Sequence, residues 1–247
     1  MPTFSPVSEQ VSWPESEGVI GVVGVAPWAT LEFLRSLYLQ VKAERDWDYP
    51  RVIVDINSKI PSRGRYFDYG EEDPSPYIAA TIRELARSGA TVAVVPCNTA
   101  HILFDRWTMG SPIPVINIIE EALKHVVRDG AGSIVILSSK TLSNSGLYQD
   151  KSLLYGLQSE SLSEESLATV FRLIGQVKVI GQIPAHEMLA VSKLVEEIDS
   201  KNPNAVVLGC TELSPLQSHL LERGLKVVDS NSTLAAKAWE HVSASQL

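Results

Sequence analysis

The fold of this 247-residue chain is decided by two similar stretches, AVVPCNT (93–99) and AVVLGCT (205–211). Each begins with three apolar residues, which is typical of a strand buried on both faces. Each then reaches a cysteine through a short turn, and a threonine follows one or two positions later. Nearly half of the chain separates the two cysteines. The repetition predicts two similar halves, each of which ends a strand in a cysteine.

The rest of the sequence alternates between strand and helix patterns. Gly89 and the pair Gly130 and Gly132 mark breaks between these patterns. The predicted strands are 18–26, 51–58, 91–95, 115–118, 133–137, 177–180 and 205–209. The predicted helices are 27–45, 77–88, 98–107, 119–128, 185–200 and 233–241, with a polar loop at 61–76 and a Ser-rich turn at 138–150. This alternation predicts an α/β fold with parallel sheets, in which ligands bind beyond the carboxyl ends of the strands.

Composition excludes several classes of protein. The length fits two α/β domains, and 45% apolar with 20% charged residues is ordinary for a globular chain. A net charge of −8 argues against a nucleic-acid binder. Two cysteines are too few for a disulfide scaffold, and we expect neither a signal peptide nor a membrane-spanning apolar run. We therefore expect a cytoplasmic protein with a flexible arm at 1–17.

The paired cysteines indicate proton transfer at carbon. Removing a proton from one face of a carbon and returning one to the other face needs two groups, one starting as a thiolate and the other as a thiol. Cys97 and Cys210 are each predicted to precede a helix, whose free N–H groups bind carboxylates and lower a thiol pKa. We hypothesise that Cys97 and Cys210 form such an acid/base pair.

At this point the sequence resembles the aspartate/glutamate racemase family, whose members work without pyridoxal phosphate. The resemblance rests on VVPCNTAH (94–101) and VLGCTEL (207–213), which are specific when found together. Glu212, where cell-wall glutamate racemases carry histidine, favours the aspartate/glutamate branch. Further similar segments are GVIGVVGVAPWAT (18–30), VIVDINSKIPSRGR (52–65), SNSGLYQ (143–149) and VVDSNSTLAAKA (227–238).

The resemblance implies two pseudo-symmetric Rossmann/flavodoxin-like α/β domains with central parallel sheets and the active site between them. We assign 18–113 plus 225–247 to the first domain, which carries Cys97. Residues 114–224 form the second domain, which carries Cys210.

The resemblance also implies roles for individual residues. Cys97 and Cys210 become the two acid/base residues, Cys97 serving the D-enantiomer and Cys210 the L-enantiomer. The substrate carboxylates are expected to be bound by Asn98, Thr99, Thr211, Arg63 and Lys178.

Three further residues, Thr30, His101 and Glu212, are predicted to lie at the site. Family members usually carry Gly-Gly-Met-Gly-Pro before Ala-Thr in the first turn, where this chain has Gly24-Val25-Ala26-Pro27-Trp28-Ala29-Thr30, one residue shorter. We expect this turn, including Thr30, to touch the substrate. His101 and Glu212 are predicted as auxiliary residues beside the cysteines. The five histidines show no metal-binding spacing, and no metal or organic cofactor is expected.

The sequence thus predicts cofactor-independent racemisation of aspartate or glutamate. Two alternatives stay open: a dicarboxylate isomerase or decarboxylase with the same fold, or a non-catalytic amino-acid-binding relative. The predicted partners are a small amino-acid substrate and a second copy of the chain in a homodimer, with neither nucleic acid nor membrane.

Overall fold

The computed structural model describes residues 17–130 and 132–243, so the predicted arm lies, apart from Glu17, outside the described residues. The strands are β1 (Ile20–Gly24), β2 (Val52–Ile56), β3 (Val92–Val94), β4 (Ser133–Ser138), β5 (Gln158–Glu160), β6 (Ala205–Gly209) and β7 (Val227–Asp229). The α-helices are α1 (Pro27–Gln40), α2 (Arg63–Tyr69), α3 (Ser75–Arg87), α4 (Phe104–Thr108), α5 (Ile118–Arg128), α6 (Lys140–Ser145), α7 (Leu147–Leu154), α8 (Glu164–Ile180), α9 (Met188–Ser200), α10 (Gln217–Glu222) and α11 (Ser230–Ser243). Short 3₁₀ helices occupy Asp46–Asp48, Asn98–Leu103, Ala185–Glu187 and Thr211–Leu216.

The strands form two parallel sheets, which confirms the predicted α/β class. The first sheet has the order β2-β1-β3, and the second has the order β5-β4-β6-β7. All their strand pairs are parallel. The apolar strands β1, β3 and β6 are buried along their whole length, because helices cover both faces.

One apolar cluster joins the two sheets. It contains Val94 of β3 and Val207 of β6, together with residues of the helices between the sheets such as Phe33, Leu123 and Leu234. The outer face of the second sheet packs against α8 and α9, and the outer face of the first packs against α3. The two halves therefore share a hydrophobic core, which fixes the carboxyl ends of their strands relative to one another.

Two predictions on the second half are wrong. Residues 177–180 are the last turn of α8 and not a strand, because Val170, Leu173, Ile174 and Val177 give the helix one continuous buried face. The Ser-rich stretch 138–150 is not a turn but contains α6 and the first half of α7. Ser139 starts α6 by accepting a hydrogen bond from the Leu142 backbone N–H.

Three further elements differ from their predictions. The polar loop at 61–76 contains α2, which the Ser62 side chain caps at its N-terminus. Strand β5 was not predicted, because its three residues are all exposed and carry no apolar signal. The strand expected at 115–118 is reduced to one bridge between Val115 and Ala93, since Asn117 accepts two backbone N–H groups and begins α5 there.

The assigned domain boundaries stay a prediction. Strand β7 pairs with β6 in the second sheet, although 225–247 was assigned to the first domain. Helix α11, which follows, packs against both α1 and α5. Within the described part of the chain, no helix is both long and apolar enough to cross a bilayer.

Replacing glycine by alanine is expected to have opposite effects on stability at two positions, Gly24 and Gly175. A Cβ added at Gly24 would lie 2.9 Å from Thr30 Oγ1 and 3.0 Å from the Asp55 carbonyl oxygen, whereas one added at Gly175 meets nothing within 4 Å. We expect Gly24→Ala to lower the free energy of unfolding by about 1–3 kcal/mol through overpacking. We expect Gly175→Ala in α8 to raise it by about 0.5–1 kcal/mol. Urea unfolding measures both, and equal effects would contradict the close packing around β1.

Candidate active site

The two cysteines occupy matching positions at the ends of two strands. Cys97 follows β3 with φ −157° and ψ 103°, and Cys210 follows β6 with φ −146° and ψ 127°. Each is the extended residue before a six-residue 3₁₀ helix, and each carbonyl accepts a hydrogen bond from the backbone N–H three residues on. The sequence repeat therefore corresponds to a repeated backbone conformation.

Both cysteines line one small cavity of about 80 Å³. Its walls come from both halves of the chain and are polar. They are formed by Ser62, Arg63, Gly64, Cys97, Asn98, Thr99, Ser139, Thr141, Lys178, Cys210, Thr211 and Glu212. Eight residues predicted from the sequence are thus brought together, while Ser62, Gly64, Ser139 and Thr141 were missed. Ser62 and Ser139 carry a local signal, because each is a serine that begins a helix.

Cys210 is a buried thiol held by a carboxylate. Its Sγ donates a hydrogen bond to Glu212 Oε2 at 3.0 Å, and Thr211 Oγ1 donates to the same oxygen at 3.3 Å. Burial raises the pKa of Cys210 well above the usual value, and the Glu212 carboxylate raises it further. The backbone N–H of Glu212, in the 3₁₀ helix that follows, acts to lower the pKa of this thiol as expected, but burial and the carboxylate outweigh it, so a net lowering is not found.

Lys178 supplies a positive charge to the same cavity. It lies in the last turn of α8, and its Nζ is 4.0 Å from Glu212 Oε1. Burial by itself would lower the pKa of the ammonium, but Glu212 and then the sulfurs of Cys210 and Cys97 outweigh it, so that the pKa is raised. In return, Lys178 acts to lower the pKa of Cys210. Lys178 is therefore a cation placed to stabilise negative charge on either sulfur.

Arg63 lines the cavity but is largely engaged with the backbone. Its Nη1 donates to the Pro61 carbonyl at 3.2 Å, and its Nη2 donates to the Val25 carbonyl at 3.3 Å. Its Nε is buried without a hydrogen-bond partner among the described residues. A buried donor without a partner costs about 1–3 kcal/mol, so an anion that accepts from Nε would be stabilised.

The predicted carboxylate-binding hydroxyls lie at the cavity wall. Thr99 Oγ1 is 2.8 Å from Ser139 Oγ, which joins the turn after β3 to the start of α6. Asn98 is 2% exposed and uses its side chain in hydrogen bonds within the protein. Thr99, Thr211 and Ser139 therefore offer hydroxyl groups at the wall, while the Asn98 amide is already committed.

The first turn, which we expected to touch the substrate, does not reach the cavity. Thr30 is fully buried away from the cavity, and its hydroxyl donates to the Ala26 carbonyl at 2.7 Å. Among the described residues of 24–30, none lines the cavity. The turn instead reaches α8, where the Trp28 indole N–H donates to the Val179 carbonyl at 3.4 Å.

His101 supports Cys97 from behind. Its Nδ1 is 2.9 Å from the Cys97 carbonyl oxygen, and its Nε2 accepts from the Ile118 backbone N–H at 3.4 Å. Burial lowers the pKa of His101 to about 4, so the ring is neutral at pH 7. A neutral ring with the proton on Nδ1 satisfies both hydrogen bonds, which fixes the turn that carries Cys97.

The described residues contain no group of three His, Cys, Asp or Glu side chains able to hold a metal ion. The side chains that line the cavity supply two sulfurs, one carboxylate, two cations and several hydroxyl groups.

Comparisons with known proteins identify relatives over most of the chain. The sequence model of the family described as Asp/Glu/Hydantoin racemase matches residues 20–238. The broad specificity amino-acid racemase RacX of Bacillus subtilis is 25% identical over 223 residues, covering 88% of this chain and 95% of that protein. The structure of Picrophilus torridus aspartate racemase superposes with a TM-score of 0.80 at 25% identity, covering 92% of this chain and 94% of that chain.

A more distant structure shares the fold. Glutamate racemase from Francisella tularensis, solved in complex with D-glutamate, gives a TM-score of 0.66 at 16% identity and covers 94% of this chain and 83% of that chain. At this identity the likeness shows only that the two-sheet α/β architecture is the same.

The buried His101 ring predicts acid sensitivity. Between pH 6.5 and pH 4 the unfolded chain binds a proton at this histidine that the folded chain does not, so stability falls as the pH decreases. We expect His101 to contribute a loss of about 2–3 kcal/mol in unfolding free energy between pH 7.5 and 4.5. Urea unfolding of wild type and His101→Gln at both pH values measures this contribution as the difference between their losses.

Two groups serve as references in that measurement. Burial raises the pKa of Asp229 to about 6, so its contribution has the opposite sign and is common to both proteins. The exposed His241→Gln variant is the matched control and should keep the wild-type loss. Equal losses in wild type and His101→Gln would show that His101 accepts a proton in the folded state.

Proposed function

Because the chain belongs to the Asp/Glu/hydantoin racemase family, we propose that it racemises an acidic amino acid, aspartate or glutamate, without an organic cofactor. The observation that carries this proposal is that Cys97 and Cys210, one from each sheet, line the same polar cavity. Two groups on separate walls are what exchange of a proton between opposite faces of Cα requires.

The proton moves from one sulfur to the other through the substrate. In one direction the Cys97 thiolate removes the Cα proton, and the electron pair of the C–H bond moves into the α-carboxylate. The Cys210 thiol then gives its proton to the opposite face of Cα, which leaves Cys97 as a thiol and Cys210 as a thiolate. In the other direction the two sulfurs exchange roles. By resemblance, Cys97 removes the proton of the D-enantiomer and Cys210 that of the L-enantiomer.

The surroundings of Cys210 support its role as the acid in the first direction. Burial and Glu212 keep Cys210 protonated, so it holds the proton that must be delivered. When Cys210 has given up this proton, Lys178 stabilises the resulting thiolate. Negative charge on the substrate carboxylate is stabilised by fixed donors at the wall, such as the hydroxyl pair of Thr99 and Ser139, whose mutual bond uses only one of their two protons.

Two cations at the cavity support an acidic substrate. Lys178 and Arg63 both line it, and Arg63 Nε is a buried donor that finds no partner within residues 17–130 and 132–243. A second carboxylate on the substrate supplies the acceptor that this nitrogen needs. The homodimer and the cytoplasmic location remain predictions.

Isotope exchange in heavy water tests the function. Incubation with D- or L-aspartate or glutamate should place deuterium at Cα and produce the other enantiomer, as measured by mass spectrometry and chiral chromatography. Cys97→Ser and Cys210→Ser should each lose racemisation by at least about 10³-fold, since a serine hydroxyl is a much weaker acid than a thiol and is not ionised near neutral pH. Thermal unfolding of each variant verifies that it is folded.

The alternatives give different results in the same assay. Exchange on neutral amino acids at rates equal to those on aspartate and glutamate would contradict an acidic preference. Turnover of dicarboxylates alone would indicate an isomerase or decarboxylase. Stabilisation by an amino acid without exchange would indicate a binding protein. Racemisation that survives in both single variants would exclude the two-cysteine mechanism.

The carboxylate beside Cys210 predicts a change in pH dependence. Glu212→Gln removes a negative charge that raises the pKa of Cys210, so the Cys210 thiol should lose its proton at lower pH. We expect the alkaline limb of the kcat/KM profile to move to lower pH by about one unit. Glu121→Gln, a buried carboxylate on α5 that pairs with Lys124, is the control and should leave the profile unchanged. An unshifted limb in Glu212→Gln would mean that Glu212 does not set the protonation of Cys210.

A further inference from the structure

A buried polar network connects the turn after Cys97 to the strand before Cys210. Asn98 Nδ2 donates to Ser230 Oγ at 2.9 Å, and Ser230 Oγ donates to the Leu208 carbonyl at 2.7 Å. Asn98 follows Cys97 directly, and Leu208 lies two residues before Cys210. Asn98 and Ser230 are 2% and 0% exposed, so water does not compete for these bonds. A single serine hydroxyl thus connects the residue after Cys97 to the strand that leads into Cys210.

Tyr148 forms a second connection between the same segments. Its hydroxyl donates to Asn98 Oδ1 at 2.8 Å. Its ring lies against the backbone of Gly209, where an added Cβ would come within 2.8 Å of Tyr148 Cε2. Tyr148 is 1% exposed and belongs to α7. One side chain thus touches the residue after Cys97 and the residue before Cys210.

The network is satisfied in only one arrangement. The Asn98 amide must place its oxygen toward Tyr148 and its nitrogen toward Ser230, and the serine proton must point at Leu208. Burial raises the pKa of Tyr148, so its hydroxyl keeps its proton and remains a donor. A buried network with each of these bonds made resists displacement, because a shift at either end leaves a polar group without a partner.

Tyr148 and Ser230 do not themselves line the cavity between the cysteines. Any effect they have on the reaction must therefore pass through Asn98 and through the segment Leu208–Gly209. We propose that Tyr148 and Ser230 are positioning residues that fix the separation of the Cys97 and Cys210 sulfurs. The proposal rests on the racemase function above, for which that separation must match one substrate carbon.

The expected size of the effect follows from the geometry of proton transfer. Displacing a reacting group by about 1 Å costs up to roughly 100-fold in rate. Of the residues that line the cavity, Asn98 is bonded to Tyr148 and Ser230, but its amide is committed to the network. Lys178, Arg63 and Thr99 make their described contacts elsewhere. Loss of the network should therefore lower kcat and leave KM nearly unchanged. A substitution that only destabilised the fold would leave both kcat and KM of the folded molecules as in wild type.

Tyr148→Phe and Ser230→Ala test the proposal, since each removes one hydroxyl and keeps the rest of the side chain. We expect kcat on the preferred amino acid to fall about 10- to 100-fold, with KM within about two-fold of wild type. Crystal structures of the substrate-free proteins should show the Cys97 Sγ to Cys210 Sγ distance changed by about 0.5 Å or more. If one variant fails to fold, the other decides, because each interrupts a different connection.

The chain offers matched controls for both substitutions. Tyr155→Phe removes a tyrosine hydroxyl at the end of the same helix, outside the network. Ser152→Ala removes a buried hydroxyl that has no hydrogen-bond partner among the described residues. Both should keep the wild-type kcat and sulfur separation.

The two measurements separate this proposal from the proposed function. A wild-type protein that racemises, with variants that keep either kcat or the sulfur separation, overturns the positioning role and leaves the racemase function standing. A wild-type protein that racemises no amino acid overturns the function. In that case the distance between the Cys97 and Cys210 sulfurs in the crystal structures decides by itself whether Tyr148 and Ser230 position the two cysteines.

Discussion

The carboxyl ends of β3 and β6 have to meet at one cavity, and the rest of the molecule depends on this constraint. Parallel strands deliver the residues that follow them to one edge of each sheet, and the shared apolar cluster, with Val94 on one side and Val207 on the other, fixes those edges relative to each other. The apolar core thus sets the approximate placement of Cys97 and Cys210. Polar contacts made by residues next to the cysteines refine this placement, because hydrogen bonds are directional where apolar packing is not.

The two sulfurs have similar backbone positions but different surroundings. Cys210 is buried and bonded to Glu212, which holds it in the thiol form, while Cys97 is partly exposed to the cavity and is supported from behind by a neutral His101. Lys178 faces both sulfurs and Glu212, so its charge opposes the effect of the carboxylate. A reaction that moves one proton between two sulfurs needs such a balance, because too strong a preference for the proton at either sulfur would slow one direction. The two cysteines therefore share a backbone conformation, while their neighbouring side chains give the two sulfurs different surroundings.

Much of the fold and of the site could be predicted because the signals are local. The buried strands β1, β3 and β6 are apolar runs. Cys97 lies three residues after the end of β3, and Cys210 follows β6 directly. The resemblance predicted that Lys178 binds the substrate, but the residues around it were predicted to form a strand. Its helix is recognised only from the helical spacing of apolar residues that begins at Val170. Strand β5 was not predicted, because an exposed polar edge strand is defined by its pairing with β4 and not by its own residues. Tyr148 gave no local signal of its role, as its partners lie far away in the sequence.

The first turn shows how a departure from the family pattern is accommodated. Without the usual glycines the backbone has less freedom to approach a ligand closely, and among the described residues of this turn none lines the cavity. Arg63 instead donates to the Val25 carbonyl and so links the turn to the cavity wall. Trp28 packs over Gly181, where an added Cβ would lie 2.6 Å from its ring, just beyond the helical turn that carries Lys178. In this chain the first turn therefore does not line the cavity itself. It contacts Arg63 and the end of α8, and these contacts help to fix the two cations that do line the cavity.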